Sequence, residues 1–263
     1  MNLHLAGKTV IVTGGGSNIG RAVSHGFAEE KANVVIADMD ETQGKKVLEE
    51  VKKLGAQAIF VKTDITDNDQ VLAMVKEATE VFGQVDVLVN NVGWWVDEFF
   101  MAEKREKWEK GIAINYMGMV NCTRAVLDQM VARKEGVVVS LGSDAGRMGE
   151  FREGIYAGCK AAVIALTKSL SRELGKSGIR LNVVCPGLTI PEGKEAVGDN
   201  SLWGGDMLDV FTPEAQQRAA KAYPLRKVGT ASEVADAILF MASSRASHIT
   251  GQTLSVSGGY TMV

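Results

Sequence analysis

Two side chains in the segment SDAGRMGEFREGIYAGCK have the types and spacing of an acid–base pair. Tyr156 and Lys160 are four residues apart, so on a helix both project from one face. An ammonium beside a phenol stabilises the phenolate and lowers the pKa of the tyrosine, which suits a general base for an alcohol. Such pairs also occur by chance on solvated helix faces. Ser143, just after a predicted strand, could meet the tyrosine over a substrate oxygen, so we predict a catalytic site of these three residues.

The elements that must position these residues alternate along the chain. Short β-branched runs are nearly continuous in apolar residues, which indicates strands covered on both faces; they span residues 8–13, 33–38, 57–62, 85–90, 136–141, 179–185 and 252–257. Between them lie amphipathic segments such as 40–54 and 68–82, with apolar side chains at helical spacing. The alternation predicts an α/β fold: a Rossmann-like, doubly wound, parallel seven-stranded sheet with helices on both faces. We expect one domain over residues 1–263, with ligands at the carboxyl ends of the strands.

The least regular stretch runs from Gly187 to Glu214, directly after the sixth predicted strand. A long irregular segment in an otherwise compact chain is typical of a lid or binding loop. We therefore predict a substrate-binding region at about residues 187–227.

The turn TGGGSNIG, Thr13–Gly20, follows the first predicted strand. It is not the P-loop of a nucleoside triphosphatase. Its last glycine is followed by Arg21, whereas a P-loop has lysine there and then serine or threonine. The GxGxxG dinucleotide pattern also fails, because Ile19 stands where its third glycine belongs. What remains is a strand, a tight turn and a helix whose N-terminal N–H groups can face a pyrophosphate.

Asp38 closes the second predicted strand, at close to the spacing expected of the acid that binds an adenosine ribose. A carboxylate there accepts hydrogen bonds from the ribose hydroxyls and repels a 2′-phosphate. Met39, the next residue, supplies no compensating base. We therefore predict NAD rather than NADP, although a strand-end aspartate can also simply cap the following turn.

Composition excludes several other classes of protein. The formal net charge of -3 gives no basic field for nucleic acid or an anionic membrane surface, and no apolar run approaches the length of a membrane span. The cysteines and histidines show no metal-ligand spacing, so we expect no metal and buried thiols in a reducing cytoplasm; they are Cys122, Cys159, Cys185, His4, His25 and His248. The N-terminus is predicted to form a first strand, not a signal peptide.

From about Leu5 to the C-terminal SGGYTM, these motifs together resemble the short-chain dehydrogenases/reductases, in their smaller single-domain branch. The matches are TGxxxGxG at Thr13, Gly14 and Gly20, the acid Asp64 in TDIT, NNVG at Asn90–Gly93, Asn115 in IAIN, the trio Ser143, Tyr156 and Lys160, and the turn Pro186–Gly187. Three positions depart from the pattern: Asn18 replaces a glycine, Val92 replaces an alanine, and Pro191 replaces a threonine, which leaves Thr189 as a substitute.

The resemblance implies an NAD-dependent exchange between a secondary alcohol and its ketone. Tyr156 would accept the hydroxyl proton, Lys160 would lower its pKa and bind the nicotinamide ribose, and Ser143 would hold the substrate oxygen. Asn115 would order a water that passes the proton outward. The cofactor contacts implied are Gly14, Ser17, Asn18, Ile19, Gly20, Asp38, Asp64, Ile65, Asn91, Gly93, Tyr156, Lys160, Pro186, Gly187 and Thr189.

The resemblance also places an apolar wall, suited to a ring, beside the reacting atoms. The candidate substrate-pocket residues are Trp94, Trp95, Asp144, Leu188, Trp203, Met207 and Phe211. Loop aromatics can equally close a core or a subunit interface, and adjacent tryptophans cannot both face one pocket in regular structure. In detail, the sequence motifs resemble those of dehydrogenases of cyclic or aromatic secondary alcohols, including ring hydroxyacyl-CoA dehydrogenases. A CoA substrate would need cations, for which Arg147, Arg152 and Lys194 are candidates; we favour a free alcohol.

Two further expectations follow from the resemblance. The segments 105–133 and 154–177 and the C-terminal strand resemble those that assemble this family into homotetramers, although a helix face buried within one subunit would look the same. A non-catalytic NAD-binding partner subunit is the alternative to an enzyme. The intact set of Ser143, Asn115, Tyr156 and Lys160 favours the enzyme.

Overall fold

The computed structural model describes residues 2–204 and 207–263, and these contain one seven-stranded parallel sheet in the order β3-β2-β1-β4-β5-β6-β7. The strands are β1 Thr9–Thr13, β2 Asn33–Asp38, β3 Ala58–Lys62, β4 Val87–Asn90, β5 Gly136–Leu141, β6 Ile179–Pro186 and β7 Thr253–Val256. All seven predicted strands are present, with ends that differ by at most two residues. The predicted fold is confirmed.

The helices between the strands are α1 Asn18–Glu29, α2 Glu41–Lys53, α3 Asn68–Phe82, α4 Arg105–Ile112, α5 Gly118–Arg133, α6 Ala145–Met148, α7 Gly154–Leu174, α8 Met207–Val210, α9 Pro213–Ala220 and α10 Ala231–Ala242. A π-helical turn, Ala113–Met117, joins α4 to α5. The amphipathic segments 40–54 and 68–82 form α2 and α3, and the side chains of Asp40 and Asp67 cap the first turns of these helices. None of the described helices combines the length and apolarity needed to cross a membrane.

The strands are apolar throughout because helices cover both faces of the sheet. Val10 and Val12 pack on one side with residues of α1, α2 and α10, whereas Ile11 packs on the other side with residues of α3 and α5. Successive strand side chains point to opposite faces, so both must be apolar when neither face meets water. The strand order reverses between β1 and β4, which opens a crevice at their carboxyl ends.

The segment after β6 is only partly irregular. It contains the short helices α8 and α9, and an isolated bridge pairs Thr189 with Gly229 at its base. Two backbone N–H groups tie its middle to the other end of the crevice: Gly198 N–H donates to Ser17 Oγ at 2.8 Å and Asp199 N–H to Asp40 Oδ2 at 3.1 Å. The segment therefore crosses the carboxyl edge of the sheet, and its role as a lid stays a prediction.

Candidate active site

A cavity of about 860 Å³ lies at the carboxyl ends of the strands. The predicted residues that line it are Gly14, Ser17, Asn18, Ile19, Asp38, Asp64, Ile65, Asn91, Gly93, Trp94, Trp95, Ser143, Asp144, Tyr156, Lys160, Pro186, Gly187, Leu188, Thr189, Trp203 and Phe211. Gly20 and Asn115 lie outside this lining, and the side chain of Met207 lies outside the described residues. The volume of the cavity falls in the range of sites that enclose an organic ligand.

The glycine turn is held in a shape that few side chains permit. Gly14 has φ +62° and Asn18 has φ +43°, so asparagine does adopt the left-handed backbone here. A Cβ on Gly20 would lie 2.0 Å from the carbonyl oxygen of Gly14, so helix α1 can start this close to the turn only with glycine. Asn91 donates from Nδ2 to the carbonyls of Thr13 and Gly14 at 3.0 and 3.2 Å, which braces the turn against the end of β4.

The N-terminus of α1 faces this cavity without a side-chain cap. Ser17 makes no capping hydrogen bond, and the first turn of the helix carries no acidic residue. Asn18 Oδ1 is buried without a hydrogen-bond partner among the described residues. Uncapped N–H groups at a helix N-terminus favour an anion. The turn therefore fits the pyrophosphate of a dinucleotide.

Asp38 is anchored at the next strand end. Its two carboxylate oxygens accept hydrogen bonds from the backbone N–H groups of Gly16 at 2.9 Å and Asp40 at 3.0 Å. Burial raises the pKa of Asp38, and these backbone donors oppose the rise. The neighbouring charged side chains along this end of the described lining are also carboxylates, Asp40 and Asp64. This end fits a ribose diol and opposes an added phosphate.

Ser143, Tyr156 and Lys160 converge on the same cavity from two elements. Ser143 follows β5, whereas Tyr156 and Lys160 lie one turn apart on α7. The Ser143 side chain acts to lower the pKa of Tyr156, so the two side chains are close neighbours. Lys160 Nζ donates to the carbonyl of Leu141 at 2.9 Å and lies 5.5 Å from the centre of the Tyr156 ring. The predicted trio is therefore assembled.

The expected lowering of the tyrosine pKa is wrong for this structure. Burial raises the pKa of Tyr156 well above its ordinary value, the carboxylate of Glu153 raises it further, and the Ser143 side chain opposes both. Burial also lowers the pKa of Lys160 to about 8. Removing the phenolate from water favours the neutral phenol. The phenol of Tyr156 is therefore protonated at neutral pH.

Asn115 lies in the π-helical turn behind the catalytic residues. It donates from Nδ2 to the carbonyls of Trp94 at 2.6 Å and Gly111 at 2.9 Å, and its Oδ1 accepts from Trp94 N–H at 2.9 Å. It lines a small adjoining cavity of about 10 Å³ together with Tyr156, close to the smallest space that holds one water. Its side chain therefore fixes the Trp94 segment, and its role in proton transfer stays a prediction.

Both tryptophans line the cavity, contrary to the argument from regular structure. Residues 91–99 form neither helix nor strand, so neighbouring side chains are free to turn to the same side. On the lid, the rings of Trp203 and Phe211 meet edge to face, with centroids 5.1 Å apart. These lid aromatics face the site rather than only closing the core.

Several residues of the cavity lining were missed from the sequence, among them two tyrosines and two glutamates. Tyr223 and Tyr260 stack with ring centroids 5.0 Å apart, and Tyr260 donates its hydroxyl proton to Glu150 at 2.7 Å. Glu150 and Glu153 both line the cavity. Only Tyr260 had a usable signal, since it lies in the C-terminal family motif SGGYTM.

The cations considered for a CoA carrier are all engaged elsewhere. Arg147 donates to Ser255 Oγ at 2.6 Å, and Arg152 pairs with Asp97 at 2.9 Å. Lys194 pairs with Asp209 at 2.8 Å. None of the three belongs to the described lining of the cavity. The structure therefore does not bear out their assignment to carrier phosphates.

Comparison with known proteins gives a family match over nearly the whole chain. A family model described as enoyl-(acyl carrier protein) reductase matches residues 14–261. The chain is 34% identical over 256 residues to the 3-oxoacyl-[acyl-carrier-protein] reductase FabG of Staphylococcus aureus (strain Mu50 / ATCC 700699), covering 97% of this chain and 98% of the relative.

Two further relatives have similar sequence identities. The FabG of Chlamydia muridarum (strain MoPn / Nigg) is 35% identical over 260 residues, 98% of this chain and 99% of the relative. An uncharacterized oxidoreductase of Thermotoga maritima is 35% identical over 262 residues, 99% and 100% of the two chains. None of these names is that of a cyclic-alcohol dehydrogenase, so the finer resemblance to that group is not supported.

Proposed function

The chain belongs to the short-chain dehydrogenase/reductase family, and on that premise we propose that it is an NAD-dependent oxidoreductase interconverting a secondary alcohol and its ketone. The observation that carries the proposal is one cavity lined by Ser143, Tyr156, the buried Lys160 and the uncapped glycine turn. Acid–base groups for an alcohol beside a cradle for a dinucleotide support redox chemistry on a carbinol carbon.

Each of the three side chains has its own role in the proposed reaction. When bound, the nicotinamide ring accepts or supplies the hydride. In reduction, Tyr156 donates its proton to the carbonyl oxygen while Ser143 holds that oxygen in place. In oxidation the same phenol, once deprotonated, accepts the hydroxyl proton. Lys160, whose pKa burial lowers to about 8, is still an ammonium at neutral pH and would hold the nicotinamide ribose.

The preference for NAD rests on the charges around Asp38. A 2′-phosphate there would meet the carboxylates of Asp38 and Asp40, and no arginine or lysine lines this end of the described cavity. Bringing like charges within a few ångströms is unfavourable, more so in a partly desolvated site. The support for NAD is therefore electrostatic and local.

The aromatic wall supports a ring-bearing alcohol as substrate. Trp94, Trp95, Trp203 and Phe211 present flat apolar surfaces in the cavity that Tyr156 also lines. The second candidate, reduction of a 3-oxoacyl thioester, is suggested by the names of the FabG relatives. The proposal also includes a cytoplasmic homotetramer, supported by exposed apolar side chains at Ile112 and Met117 on the segment that joins α4 to α5.

Replacing Tyr156 by phenylalanine tests the function. The hydroxyl that transfers the proton is removed while the ring still fills its site, so turnover should fall roughly 10²- to 10⁴-fold. The assay is NADH formation or consumption, read by absorbance over a panel of cyclic alcohols and ketones, together with NAD affinity by calorimetry.

Because the pKa of Tyr156 is raised, wild-type oxidation should accelerate as the pH rises above neutrality, whereas reduction should proceed at neutral pH.

Tyr116→Phe is the matched control, because Tyr116 packs against a core cluster and does not line the cavity. It should keep wild-type turnover. Near-normal turnover in Tyr156→Phe would remove the tyrosine from the reaction. NAD binding without turnover of any alcohol or ketone by the wild-type protein would instead favour a non-catalytic partner subunit.

A further inference from the structure

The carboxyl group of Glu153 lies beside the reacting atoms without a partner. Glu153 precedes α7, but its side chain does not cap that helix. It lines both the main cavity and the small adjoining one, each time together with Tyr156, which follows it by three residues. Among the described residues no group donates a hydrogen bond to it, whereas its neighbour Glu150 accepts from the hydroxyl of Tyr260 at 2.7 Å.

A half-buried carboxylate without a hydrogen-bond donor is unfavourable, which favours its protonated form. Burial, with the nearby carboxylates Glu150 and Asp97, raises the pKa of Glu153 to about 7. An acceptor held this way in a ligand cavity gains from any ligand group that donates a hydrogen bond. Because Glu153 lines the same two cavities as Tyr156, a donor carried next to the carbinol carbon would approach it.

The charges of the cavity also limit what the substrate can carry. Six carboxyl side chains and two ammonium groups line its described part: Asp38, Asp40, Asp64, Asp144, Glu150, Glu153, Lys110 and Lys160. The ammonium of Lys110 lies over the Trp94 ring at 4.7 Å from its centroid, and that of Lys160 is buried against the Leu141 carbonyl. Asp144 is 2% exposed, and one of its oxygens has no hydrogen-bond partner. Such a surface opposes a phosphate or carboxylate.

We propose that Glu153 selects substrates that carry a hydrogen-bond donor, a second hydroxyl or an ammonium, next to the reacting carbinol carbon, and that the cavity rejects anionic substrates. This specificity rests on the proposed alcohol oxidation. It deepens that proposal, because it turns a ring-bearing alcohol into a ring that carries a diol or an amino alcohol. It also separates the protein from enzymes whose substrate arrives on a phosphate-bearing carrier.

The test compares kcat/KM for four probes: cyclohexanol, 1,2-cyclohexanediol, 2-aminocyclohexanol and 2-hydroxycyclohexanecarboxylate, the last also as its CoA thioester. A hydrogen bond to a charged group predicts that the diol or the amino alcohol exceeds cyclohexanol by about 10- to 100-fold. The two anionic probes should fall below cyclohexanol. A ratio near one for both donor-bearing probes, or either anionic probe as the best substrate, overturns the proposal.

Variants at Glu153 assign the preference to this side chain. Glu153→Ala should bring the ratio of donor-bearing probe to cyclohexanol close to one. Glu153→Gln, which keeps an acceptor oxygen without charge and is the safer variant for folding, should retain much of the ratio for the diol and lose it for the amino alcohol. The control Glu106→Gln, an exposed acid in the first turn of α4, should leave every ratio unchanged. A wild-type ratio that persists in Glu153→Ala contradicts the assignment.

The two proposals fail in different ways. If wild-type protein turns over none of the probes in either direction, the alcohol oxidation itself fails, and this specificity fails with it. If cyclohexanol is oxidised in a Tyr156-dependent manner but the donor makes no difference, only the role of Glu153 is lost.

Discussion

Replacing Lys160 by methionine should make the protein more stable at pH 7 while abolishing turnover. Lys160 is 3% exposed, and burial lowers its pKa from 10.5 to about 8. A difference of that size between folded and unfolded chains corresponds to roughly 3 kcal/mol against the ammonium at neutral pH. Against this gain, the variant loses the hydrogen bond from Lys160 to the Leu141 carbonyl, which costs it about 1 kcal/mol. Methionine, of similar length, should therefore raise the free energy of unfolding by about 2 kcal/mol.

The pH dependence of this gain distinguishes the charge from a packing effect. Because the folded-state pKa of Lys160 is lowered, the unfolded chain binds more protons between about pH 8 and 10.5, so wild-type stability rises with pH across that window. The advantage of Lys160→Met should shrink by about 2 kcal/mol between pH 7 and pH 9.5. It should be smallest where the wild-type lysine is already neutral in the fold.

The measurement is denaturant unfolding of both proteins at the two pH values, at equal protein concentration because assembly would add to the apparent stability. Lys168→Met is the matched control, since Lys168 is an exposed residue of the same helix α7. It should change the unfolding free energy little at either pH. A Lys160→Met protein that is less stable at pH 7, or whose advantage does not change with pH, would refute the assignment of a buried, destabilised ammonium.

Two further predictions concern the dinucleotide end of the cavity. Asp38→Ser should lower kcat/KM for NAD and raise the NADP-to-NAD ratio at least about 10-fold, because the carboxylate that opposes a 2′-phosphate is removed; an unchanged ratio in steady-state kinetics would count against its role. Gly20→Ala should cost about 2 kcal/mol or more and weaken NAD binding, since its Cβ would lie 2.0 Å from the Gly14 carbonyl oxygen. Gly158→Ala, with no atom within 4 Å of the added Cβ, should be neutral or slightly stabilising in the same melts, and equal effects of the two alanines would contradict the steric argument.

The parts of the site that could be predicted are those set by short stretches of chain. The glycine turn, its left-handed Asn18 and the strand-end Asp38 belong to one strand–helix–strand unit, so their geometry follows from residues close in sequence. The i, i+4 pair Tyr156 and Lys160 is likewise fixed once α7 forms. Ser143 was within reach because the carboxyl ends of parallel strands share one edge.

The parts that escaped prediction depend on segments distant in sequence. Tyr260 reaches Glu150 across 110 residues, and Tyr223 contacts the backbone N–H of Leu188 from beyond the lid helices. The expectation that Lys160 lowers the pKa of Tyr156 failed for the same reason. Spacing reports that two groups are neighbours, but it does not report how much water the surrounding chain removes from them.

The sequence by itself thus determined the parallel sheet, the glycine turn and the three side chains, Ser143, Tyr156 and Lys160, that meet in the cavity, because hydrogen-bonding geometry and side-chain periodicity act over a few residues. Only the tertiary structure decided that Asn115 braces Trp94, that Arg147 and Arg152 are held away from the cavity, and that Glu153 faces Tyr156 without a partner. These outcomes depend on burial and on which remote groups meet. Both are properties of the packed chain, since desolvation of a charge is set by everything around it and not by its neighbours in sequence.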